Sequence, residues 1–186
     1  ANKKGRSTMT DYVLENWKKY LKEDKKKEED AKNHGAGFII ISNSGEDVLL
    51  IRRSEGSNLG ELTGPGGGME AGESPFETAV RETKEEIQKS FEGREPEGSG
   101  YVREQNGFTF TTFLMHSVDN FDCKLNNEHD AWGWVDIEQV EDAIVNNREL
   151  VSNKFKDRDN KPIKEVRAKI FHGVADAIKH FTKNFK

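Results

Sequence analysis

Two stretches of the chain carry hydrophobic residues at helical spacing, one near each end. Within residues 11–21 the apolar positions recur every three or four residues, which predicts a short amphipathic helix. Residues 22–33 lack an apolar face, and their mixed charges predict a solvated helical extension or linker. Near the C-terminus, the second stripe predicts a packed helix that begins close to Pro162. Its apolar positions are Ile163, Val166, Ile170, Val174, Ile178 and Phe181.

Between these stretches the pattern changes to short β-rich runs separated by turn residues. Residues 36–42 and 47–53 flank a polar turn, so we predict a pair of strands there. Residues 54–64 are polar and contain glycine, which predicts a loop. Aromatic and β-branched residues then concentrate in three further runs, and a short helical pattern follows them. These predicted elements are strands at Gly100–Arg103, Phe108–Ser117 and Ala131–Val135 and a helix at Glu138–Asn146.

The segment Ser74–Gln88 carries a complete set of helix-start signals. Ser74 is a suitable N-cap, because its side chain can accept a hydrogen bond from a free backbone N–H of the first turn. Pro75 suits the first helical position, and Glu77 completes a capping box with Ser74. We therefore predict that a helix begins directly after Ser74.

The bulk properties narrow the range of functions. A chain of 186 residues fits one domain with helical extensions. Its formal net charge of −5 argues against a surface built for non-specific nucleic-acid binding. Cys123 is the only cysteine, which excludes an internal disulfide and a multi-cysteine zinc site and is typical of a reducing compartment. No apolar run approaches the roughly 20 residues of a membrane span, so we expect a cytoplasmic protein without membrane contact.

The strongest chemical signal is the spacing of acidic residues in the segment 64–88, GPGGGMEAGESPFETAVRETKEEIQ. Glu82, Glu85 and Glu86 lie at positions i, i+3 and i+4, which places three carboxylates on one face of the predicted helix. Like charges repel in that arrangement. Divalent cations such as Mg²⁺ and Mn²⁺ prefer oxygen ligands, and their binding would turn the repulsion into attraction.

Neighbouring residues support such a site. Arg81 can pair with a carboxylate one turn away, either Glu77 or Glu85, and so fix its orientation. Glu73 precedes the N-cap and lies close to the positive end of the helix dipole. The glycines at 66–68 allow the backbone to come close to a ligand or metal.

The same segment resembles the signature of the Nudix hydrolase family, Gx5Ex7REUxEExGU, in which U is an apolar residue. The matching positions are Gly67, Glu73, Arg81, Glu82, Glu85 and Glu86. Two positions depart from the signature. Thr83 replaces an apolar residue, although its methyl group can still face the core, and Gln88 replaces the glycine that ends the helix. Without that glycine we expect the helix to continue to about Ser90 or Gly93.

The resemblance implies the Nudix fold, an α+β architecture (α/β/α sandwich) in which a mixed β-sheet lies between helices. It implies a Nudix hydrolase domain over residues 35–186, including the C-terminal helix, preceded by a helical extension over residues 1–34. It also implies a MutT-like pyrophosphohydrolase, an acid anhydride hydrolase that uses Mg²⁺ or Mn²⁺ to cleave a phosphoanhydride bond in a nucleotide.

The resemblance further assigns roles to the residues of the signature. The metal ligands would be the carbonyl of Gly67 and the carboxylates of Glu82, Glu85 and Glu86. Glu82 is the first candidate for the general base, and Arg81 would assist catalysis by orienting a carboxylate.

Some members of the family carry the general base on a loop outside the signature. The segment 126–135, NNEHDAWGWV, is the candidate for such a loop. Glu128 is our first choice for a base there and Asp130 the second. His129 either contacts phosphate or is an exposed loop residue.

Substrate-binding residues are expected beside these carboxylates. Arg52 and Arg53 end the second predicted strand, where one of them binds phosphate or both are simply solvated. Trp132 and Trp134 alternate along a predicted strand, so we expect one to pack in the core and the other to face a cleft and stack on a base. Trp134 is our candidate for stacking, and core packing of both is the alternative.

The signature concerns only recognition of the diphosphate, so it does not determine the rest of the substrate. Our first hypothesis is a nucleoside triphosphate. Its rivals are ADP-ribose, a dinucleoside polyphosphate, a nucleotide sugar and the 5′ end of RNA, the one form in which we expect a nucleic acid to bind. A non-catalytic binding module with the same fold is a separate class, against which the complete set of acidic residues argues. The terminal helices also leave a homodimer open.

Overall fold

The computed structural model describes residues 31–184 together with Lys22, Lys25, Lys27, Glu28 and Glu29. The described residues before Asn33 are helical and, except for the buried Ala31, exposed, in agreement with the predicted solvated extension. The amphipathic helix predicted over residues 11–21 lies outside the described residues. The boundary between residues 34 and 35 stays a prediction. In the part of the chain that is described, no helix has the length and apolar character needed to cross a membrane.

From His34 onward the described chain alternates between a large sheet and three helices. The strands are β1 (His34–Ile41), β2 (Asp47–Arg53), β3 (Leu62–Thr63), β4 (Gly66–Gly68), β5 (Tyr101–Gln105), β6 (Phe108–His116), β7 (His129–Asp136), β8 (Leu150–Ser152), β9 (Phe155–Asp157) and β10 (Val166–Ala168). The helices are α1 (Pro75–Ile87), α2 (Ile137–Val145) and α3 (His172–Asn184). Every strand and helix predicted between residues 36 and 146 is present.

The large sheet is mixed. Its strands run in the order β5-β6-β1-β2-β7-β9, with β3 added to β2 and β4 added to β1. Strands β1 and β6 are parallel along their whole length, whereas the other pairs in this sheet are antiparallel. Strands β8 and β10 form a separate two-stranded sheet.

The strand β2 divides the core into two layers because its side chains alternate between the two faces of the sheet. Val48 and Leu50 belong to a cluster that also contains residues of α2 and α3. Leu49 and Ile51 belong to a second cluster with Ala79 and other residues of α1. Helices therefore cover both faces, which confirms the prediction of a mixed sheet between helices.

Helix α1 begins as predicted but ends earlier than expected. The side chain of Ser74 accepts the backbone N–H of Glu77, and the Glu77 carboxylate accepts the N–H of Ser74 at 2.7 Å, so the capping box is formed. The expectation that the helix continues to Ser90 or Gly93 is wrong. Gln88 adopts the left-handed conformation (φ 54°, ψ 34°) and ends the helix in the place of the glycine of the signature.

The helix predicted to begin near Pro162 is also wrong over its first half. Val166 and Ala168 are buried while Arg167 is exposed, and these residues form β10, which pairs with β8. Val166 and Ala168 are two residues apart, a spacing that fits a strand. The strand that pairs with them, β8, lies elsewhere in the chain, so the local pattern alone did not reveal it. The later positions of the stripe, Val174 and Ile178, do lie in α3 and in the core.

Candidate functional site

A run of glycines packs between β1 and α1. Strand β4 pairs antiparallel with β1 from Gly35 to Gly37, and the N–H of Phe38 donates to the carbonyl of Pro65 at 2.9 Å. A Cβ on Gly37 would lie 2.5 Å from that carbonyl oxygen. A Cβ on Gly67 would lie 2.6 Å from the carboxylate of Glu82. Only glycine leaves room for the loop to approach the strand on one side and the acidic helix on the other.

Arg81 organises the carboxylates around this loop. Its Nε and Nη2 donate to the two oxygens of Glu73 at 2.7 and 3.0 Å. Its Nη1 donates to Glu82 at 2.8 Å and to Glu85 at 3.2 Å, and Nη2 also reaches the carbonyl of Gly68 at 2.8 Å. Of the two partners expected from helical spacing, Glu85 is confirmed. The alternative partner, Glu77, belongs to the capping box instead.

Glu73 is the anchor of Arg81. Its carboxylate accepts the two hydrogen bonds from Arg81, the backbone N–H of Glu70 at 3.0 Å and the hydroxyl of Thr78 at 2.9 Å. The hydrogen bonds from Arg81 are the main cause that lowers the pKa of Glu73 to about 2. Glu73 is thus fully ionised at neutral pH and holds the arginine in place.

Glu86 is a buried acid whose negative charge is only partly compensated by neighbouring groups. Its side chain is only 4% exposed, and one carboxylate oxygen accepts the N–H of Gly66 at 2.8 Å. The other oxygen lies 3.7 Å from Nε2 of His129. The pKa of Glu86 is raised to about 8, mainly by burial and to a smaller extent by the charges of Glu82 and Glu128. The N–H of Gly66 and the charge of Arg53 lower it only in part.

His129 is fully buried beside Glu86, so it is not the exposed loop residue that was one of our two alternatives. Its Nδ1 lies 3.0 Å from Oδ1 of Asn126, while its Nε2 is buried without a hydrogen-bond partner. Burial lowers the pKa of His129 to about 4, so the ring is neutral at pH 7. The buried Nε2 therefore faces the second oxygen of the Glu86 carboxylate at 3.7 Å without a hydrogen bond.

The other two acidic residues of the helix differ in exposure. The side chain of Glu82 is 16% exposed, and burial is the main cause that raises its pKa, against the opposing effect of Arg81. The side chain of Glu85 is 56% exposed. Glu86 and Glu82 therefore lie against the glycine loop, whereas the exposed Glu85 is joined to them through Arg81.

Among the described residues, no three acidic, histidine or cysteine side chains already surround one point closely enough to hold a metal ion. The hydrogen bonds explain this placement, because Glu82 and Glu85 turn toward Arg81 and Glu86 turns toward Gly66. The donor chemistry nevertheless fits a hard divalent cation, which prefers carboxylate and carbonyl oxygens. A cation would also offset the cost of keeping Glu86 charged in a buried position.

The loop before β7 brings Glu128 close to this cluster. Its side chain is 52% exposed, and its Oε2 lies 3.7 Å from Nη2 of Arg53. The charge of Glu128 raises the pKa values of both Glu82 and Glu86, which reflects its proximity to them. The structure thus brings the candidate base on the loop together with the acidic residues of the helix.

The two arginines at the end of β2 have different surroundings. Arg52 forms a two-point ion pair with Asp130, at 2.7 and 3.0 Å. Arg53 follows an irregularity in the pairing of β2 with β7, and its Nε is buried without a hydrogen-bond partner. Asp130 is therefore occupied by Arg52, whereas Arg53 keeps donors available beside Glu128.

A cleft of about 460 Å³ lies on the opposite side of the glycine loop from α1. It is bounded by β1, β5, β6, the glycine loop and the start of α3. Gly66 and Arg53 contribute both to this cleft and to the surroundings of the acidic cluster. Its aromatic walls are Phe108, Phe110 and Phe171, and Arg103 and Gln105 add polar groups.

Sequence reasoning did not find this cleft. The signal was present in β6, where Phe108, Phe110 and Thr112 are two residues apart and so share one face of the strand. The partner wall comes from Phe171 and the start of α3, more than 50 residues beyond the end of β6. Local periodicity cannot supply that pairing.

The two tryptophans of β7 lie on the same face of the sheet, so the expectation that one faces a cleft is wrong and the alternative, core packing of both, is confirmed. Residues i and i+2 of a strand point the same way, and both rings belong to the core layer under α1. The indole N–H of Trp134 donates to the carbonyl of Phe121 at 3.0 Å, and that of Trp132 donates to Asn160 at 3.0 Å. Neither ring lines the cleft described above.

Comparison with known proteins gives the following matches. The family model described as NUDIX domain matches residues 32–155. The bis(5'-nucleosyl)-tetraphosphatase [asymmetrical] of Mus musculus is 35% identical over 107 residues, which are 54% of this chain and 71% of that protein. The RNA pyrophosphohydrolase of Rhodospirillum rubrum is 28% identical over 130 residues, which are 60% of this chain and 76% of that protein.

Two solved structures share the fold. The Caenorhabditis elegans Ap4A hydrolase binary complex has a TM-score of 0.58 and 21% identity, and the match covers 81% of this chain and 97% of that one. The MutT protein from Methanosarcina mazei Go1 has a TM-score of 0.55 and 23% identity, and the match covers 82% of this chain and 94% of that one. At these identities the likeness concerns the arrangement of strands and helices.

Proposed function

The chain belongs to the Nudix hydrolase family, and on that premise we propose that it hydrolyses a phosphoanhydride bond of a nucleoside polyphosphate with Mg²⁺ or Mn²⁺. The observation that carries the proposal is the complete acidic face of α1 against the glycine loop, with Glu86 buried and in contact with the N–H of Gly66. A non-catalytic module has no need for a carboxylate kept at such an electrostatic cost.

The residues that would hold the metal are Gly67, through its carbonyl, and Glu82, Glu85 and Glu86. When bound, divalent ions neutralise phosphate charge and lower the pKa of an attacking water. Arg81 keeps the carboxylates of Glu82 and Glu85 within reach of the loop through its Nη1. Because Glu73 fixes the other side of the same guanidinium, the position of Arg81 does not depend on the ligand.

We assign the general base to Glu128 and keep Glu82 as a ligand. The carboxylate of Glu82 is pressed against Gly67 and accepts a hydrogen bond from Arg81, which reduces its capacity to accept a proton from water. Glu128 is half exposed, and its ion-pair partner among the described residues, Arg53, lies 3.7 Å away, beyond hydrogen-bond distance. It can therefore take the proton of a water that attacks phosphorus.

Arg53 is the residue we assign to the phosphate chain. It lines the cleft, lies beside Glu128 and has a buried Nε without a hydrogen-bond partner. A guanidinium with free donors suits a phosphate oxygen. Arg52 is already bound at two points by Asp130, so we expect it to support the strand end rather than the substrate.

The cleft supports a nucleoside as the part of the substrate next to the cleaved phosphates. Its volume of about 460 Å³ falls in the range of small-molecule sites, and the rings of Phe108, Phe110 and Phe171 suit the face of a nucleobase. We propose diadenosine tetraphosphate as the first substrate to test, because the mouse relative is named a bis(5'-nucleosyl)-tetraphosphatase and this compound belongs to that class of substrates. A nucleoside triphosphate is the second candidate, since the cleft accommodates one nucleoside.

The test is a product analysis with a panel of substrates. The protein, first treated with EDTA, is incubated with Mg²⁺ or Mn²⁺ and diadenosine tetraphosphate, ATP, ADP-ribose, a nucleotide sugar or RNA with a 5′-triphosphate. We expect metal-dependent cleavage of at least one phosphoanhydride, with diadenosine tetraphosphate turned over fastest. Binding of these compounds without any turnover, measured by calorimetry, would instead indicate a binding module.

The role of Glu128 is tested by comparing three Gln variants. Glu128→Gln is expected to lower kcat by about 100-fold or more at every metal concentration, because the base is lost. Glu82→Gln is expected to weaken metal binding, so part of its turnover should return at high Mg²⁺. Glu46→Gln, at the exposed turn at the other end of β2, is the matched control. Near-native turnover in Glu128→Gln with loss in Glu82→Gln would place the base on the helix.

A further inference from the structure

A tight turn follows β9 and approaches the loop that carries Glu128. In the turn at 157–161, Oδ1 of Asp157 accepts the backbone N–H groups of Asp159 and Lys161, both at 2.9 Å. Asn160 adopts the left-handed conformation with φ 61°, which asparagine tolerates better than most residues. The turn therefore has a defined shape although it lies at the surface.

The turn is fixed to the sheet on two sides. Strand β9 pairs with β7, where Asp157 lies opposite Ala131. The indole N–H of Trp132, a buried residue of β7, donates to Oδ1 of Asn160 at 3.0 Å. Because β7 begins directly after Glu128, the turn has a constant position relative to the Glu128 loop.

The side chain of Arg158 extends from this turn to the backbone on both sides of Glu128. Its Nε donates to the carbonyl of His129 at 2.6 Å, and its Nη2 donates to the carbonyl of Asn127 at 2.5 Å. The same Nη2 reaches Oγ of Ser54 at 3.1 Å. The N–H of Ser54 in turn donates to the carbonyl of Glu128 at 2.7 Å. Three consecutive carbonyls of the loop are thus held.

We propose that Arg158 is a positioning residue that sets the place of the Glu128 carboxylate relative to the acidic face of α1. Glu128 lies at the end of an irregular segment, and its half-exposed carboxylate has no hydrogen bond from the protein among the described contacts. Its location therefore depends on its backbone. Hydrogen bonds from a charged guanidinium are stronger than those between neutral groups, and two of them flank this backbone. The inference rests on the proposed role of Glu128 as base.

The contact pattern separates Arg158 from an ordinary surface arginine. Arg167, which is also exposed, pairs only with Glu165 at 3.6 Å among the described ion pairs and lies in the small β8–β10 sheet. Arg167→Ala removes the same guanidinium from the surface without touching the Glu128 loop. It is the matched control for Arg158→Ala.

The experiment is a double-mutant cycle between Arg158 and Glu128, with diadenosine tetraphosphate and Mg²⁺, or with the best substrate of the panel. We expect Arg158→Ala to lower kcat by about 10- to 100-fold, the effect of displacing a catalytic group by about 1 Å, and to change KM much less. In the Glu128→Gln background the same change should have no further effect on kcat. Arg167→Ala should leave kcat unchanged in both backgrounds.

Two results would overturn the inference. An equal loss of kcat on adding Arg158→Ala to wild type and to Glu128→Gln would mean that Arg158 acts independently of Glu128. An unchanged kcat in Arg158→Ala would mean that the loop holds itself. Full turnover of Glu128→Gln alone would overturn the proposed base as well, so that failure is distinguishable from the other two.

A conservative variant keeps the test valid if Arg158→Ala does not fold. Arg158→Lys retains the charge, but one ammonium group cannot bridge two carbonyls in the geometry of a guanidinium. We expect it to fold, to lose part of kcat and to show the same dependence on Glu128. A kcat equal to wild type in Arg158→Lys would show that the charge alone is sufficient and would contradict the role of the two-point contact.

Discussion

The close approach of Gly67 to Glu82 allows a single methyl group to test the acidic cluster. In Gly67→Ala the new Cβ would lie 2.6 Å from the carboxyl carbon of Glu82, where ordinary contact begins near 3.4 Å. The carboxylate must therefore retreat by about 0.8 Å. Its hydrogen bond from Arg81, now 2.8 Å, would be disturbed by a shift of that size.

We expect this displacement to lower kcat by about 10- to 100-fold, because a metal ligand moved by about 1 Å no longer matches the reacting geometry. The folding stability should change little, since the clashing atoms are the end of a flexible side chain and Gly67 has no positive φ. Initial rates with the best substrate and Mg²⁺, and urea denaturation followed by circular dichroism, measure the two effects separately.

The neighbouring glycine supplies the control. A Cβ on Gly68 has no heavy atom within 4 Å, and its backbone also has no positive φ. Gly68→Ala should therefore keep both the wild-type rate and the wild-type stability. Equal rates for Gly67→Ala and Gly68→Ala would refute the argument that the Glu82 carboxylate must occupy its observed place for turnover.

Two further predictions concern the ends of the signature helix. Glu73→Gln should lower the free energy of unfolding by about 1–2 kcal/mol at pH 7. Arg81 holds the pKa of Glu73 in the folded protein at about 2, below the ordinary value of 4.5. This contribution to stability is therefore full above pH 4.5 and is lost as the pH falls toward 2. Urea titrations should show a smaller difference between Glu73→Gln and wild type at pH 3 than at pH 7. Gln88→Gly should raise the free energy of unfolding by up to about 1 kcal/mol without changing turnover, because glycine accepts the left-handed conformation of that position at no steric cost. A loss of stability in the same titration would contradict this account of the helix end.

Local sequence was sufficient for the helix that carries the acidic residues. The capping box at Ser74 and the spacing of Glu82, Glu85 and Glu86 depend only on helical geometry, so both the start of α1 and its acidic face could be predicted. Its end could not, because Gln88 is not a residue that usually adopts a left-handed conformation. There the packing of the following segment decides, through the burial of Phe91.

Contacts between distant segments could not be predicted in the same way. The partner of Arg81 one turn away, Glu85, was predicted, but its two-point partner is Glu73, which precedes the helix. His129 was expected either to contact phosphate or to be an exposed loop residue, and the fold buries it against Glu86. The contact of Arg81 with Glu73 and the burial of His129 escaped prediction for the same reason. Periodicity specifies which face of an element a residue occupies, whereas the opposing group comes from the packing of another element.

The same packing divides the acidic residues of the site into two electrostatic classes. The carboxylate of Glu73 accepts two hydrogen bonds from Arg81, and its pKa is lowered, so it is stable as an anion within the protein alone. Glu82 and Glu86 have raised pKa values because they are buried, and Arg81 reaches only the first of them. A chain that needed only a stable helix would gain from neutral residues at those two positions. Their presence beside the carbonyl of Gly67 therefore fits a site in which a divalent cation, bound together with the phosphates of the substrate, balances their negative charge.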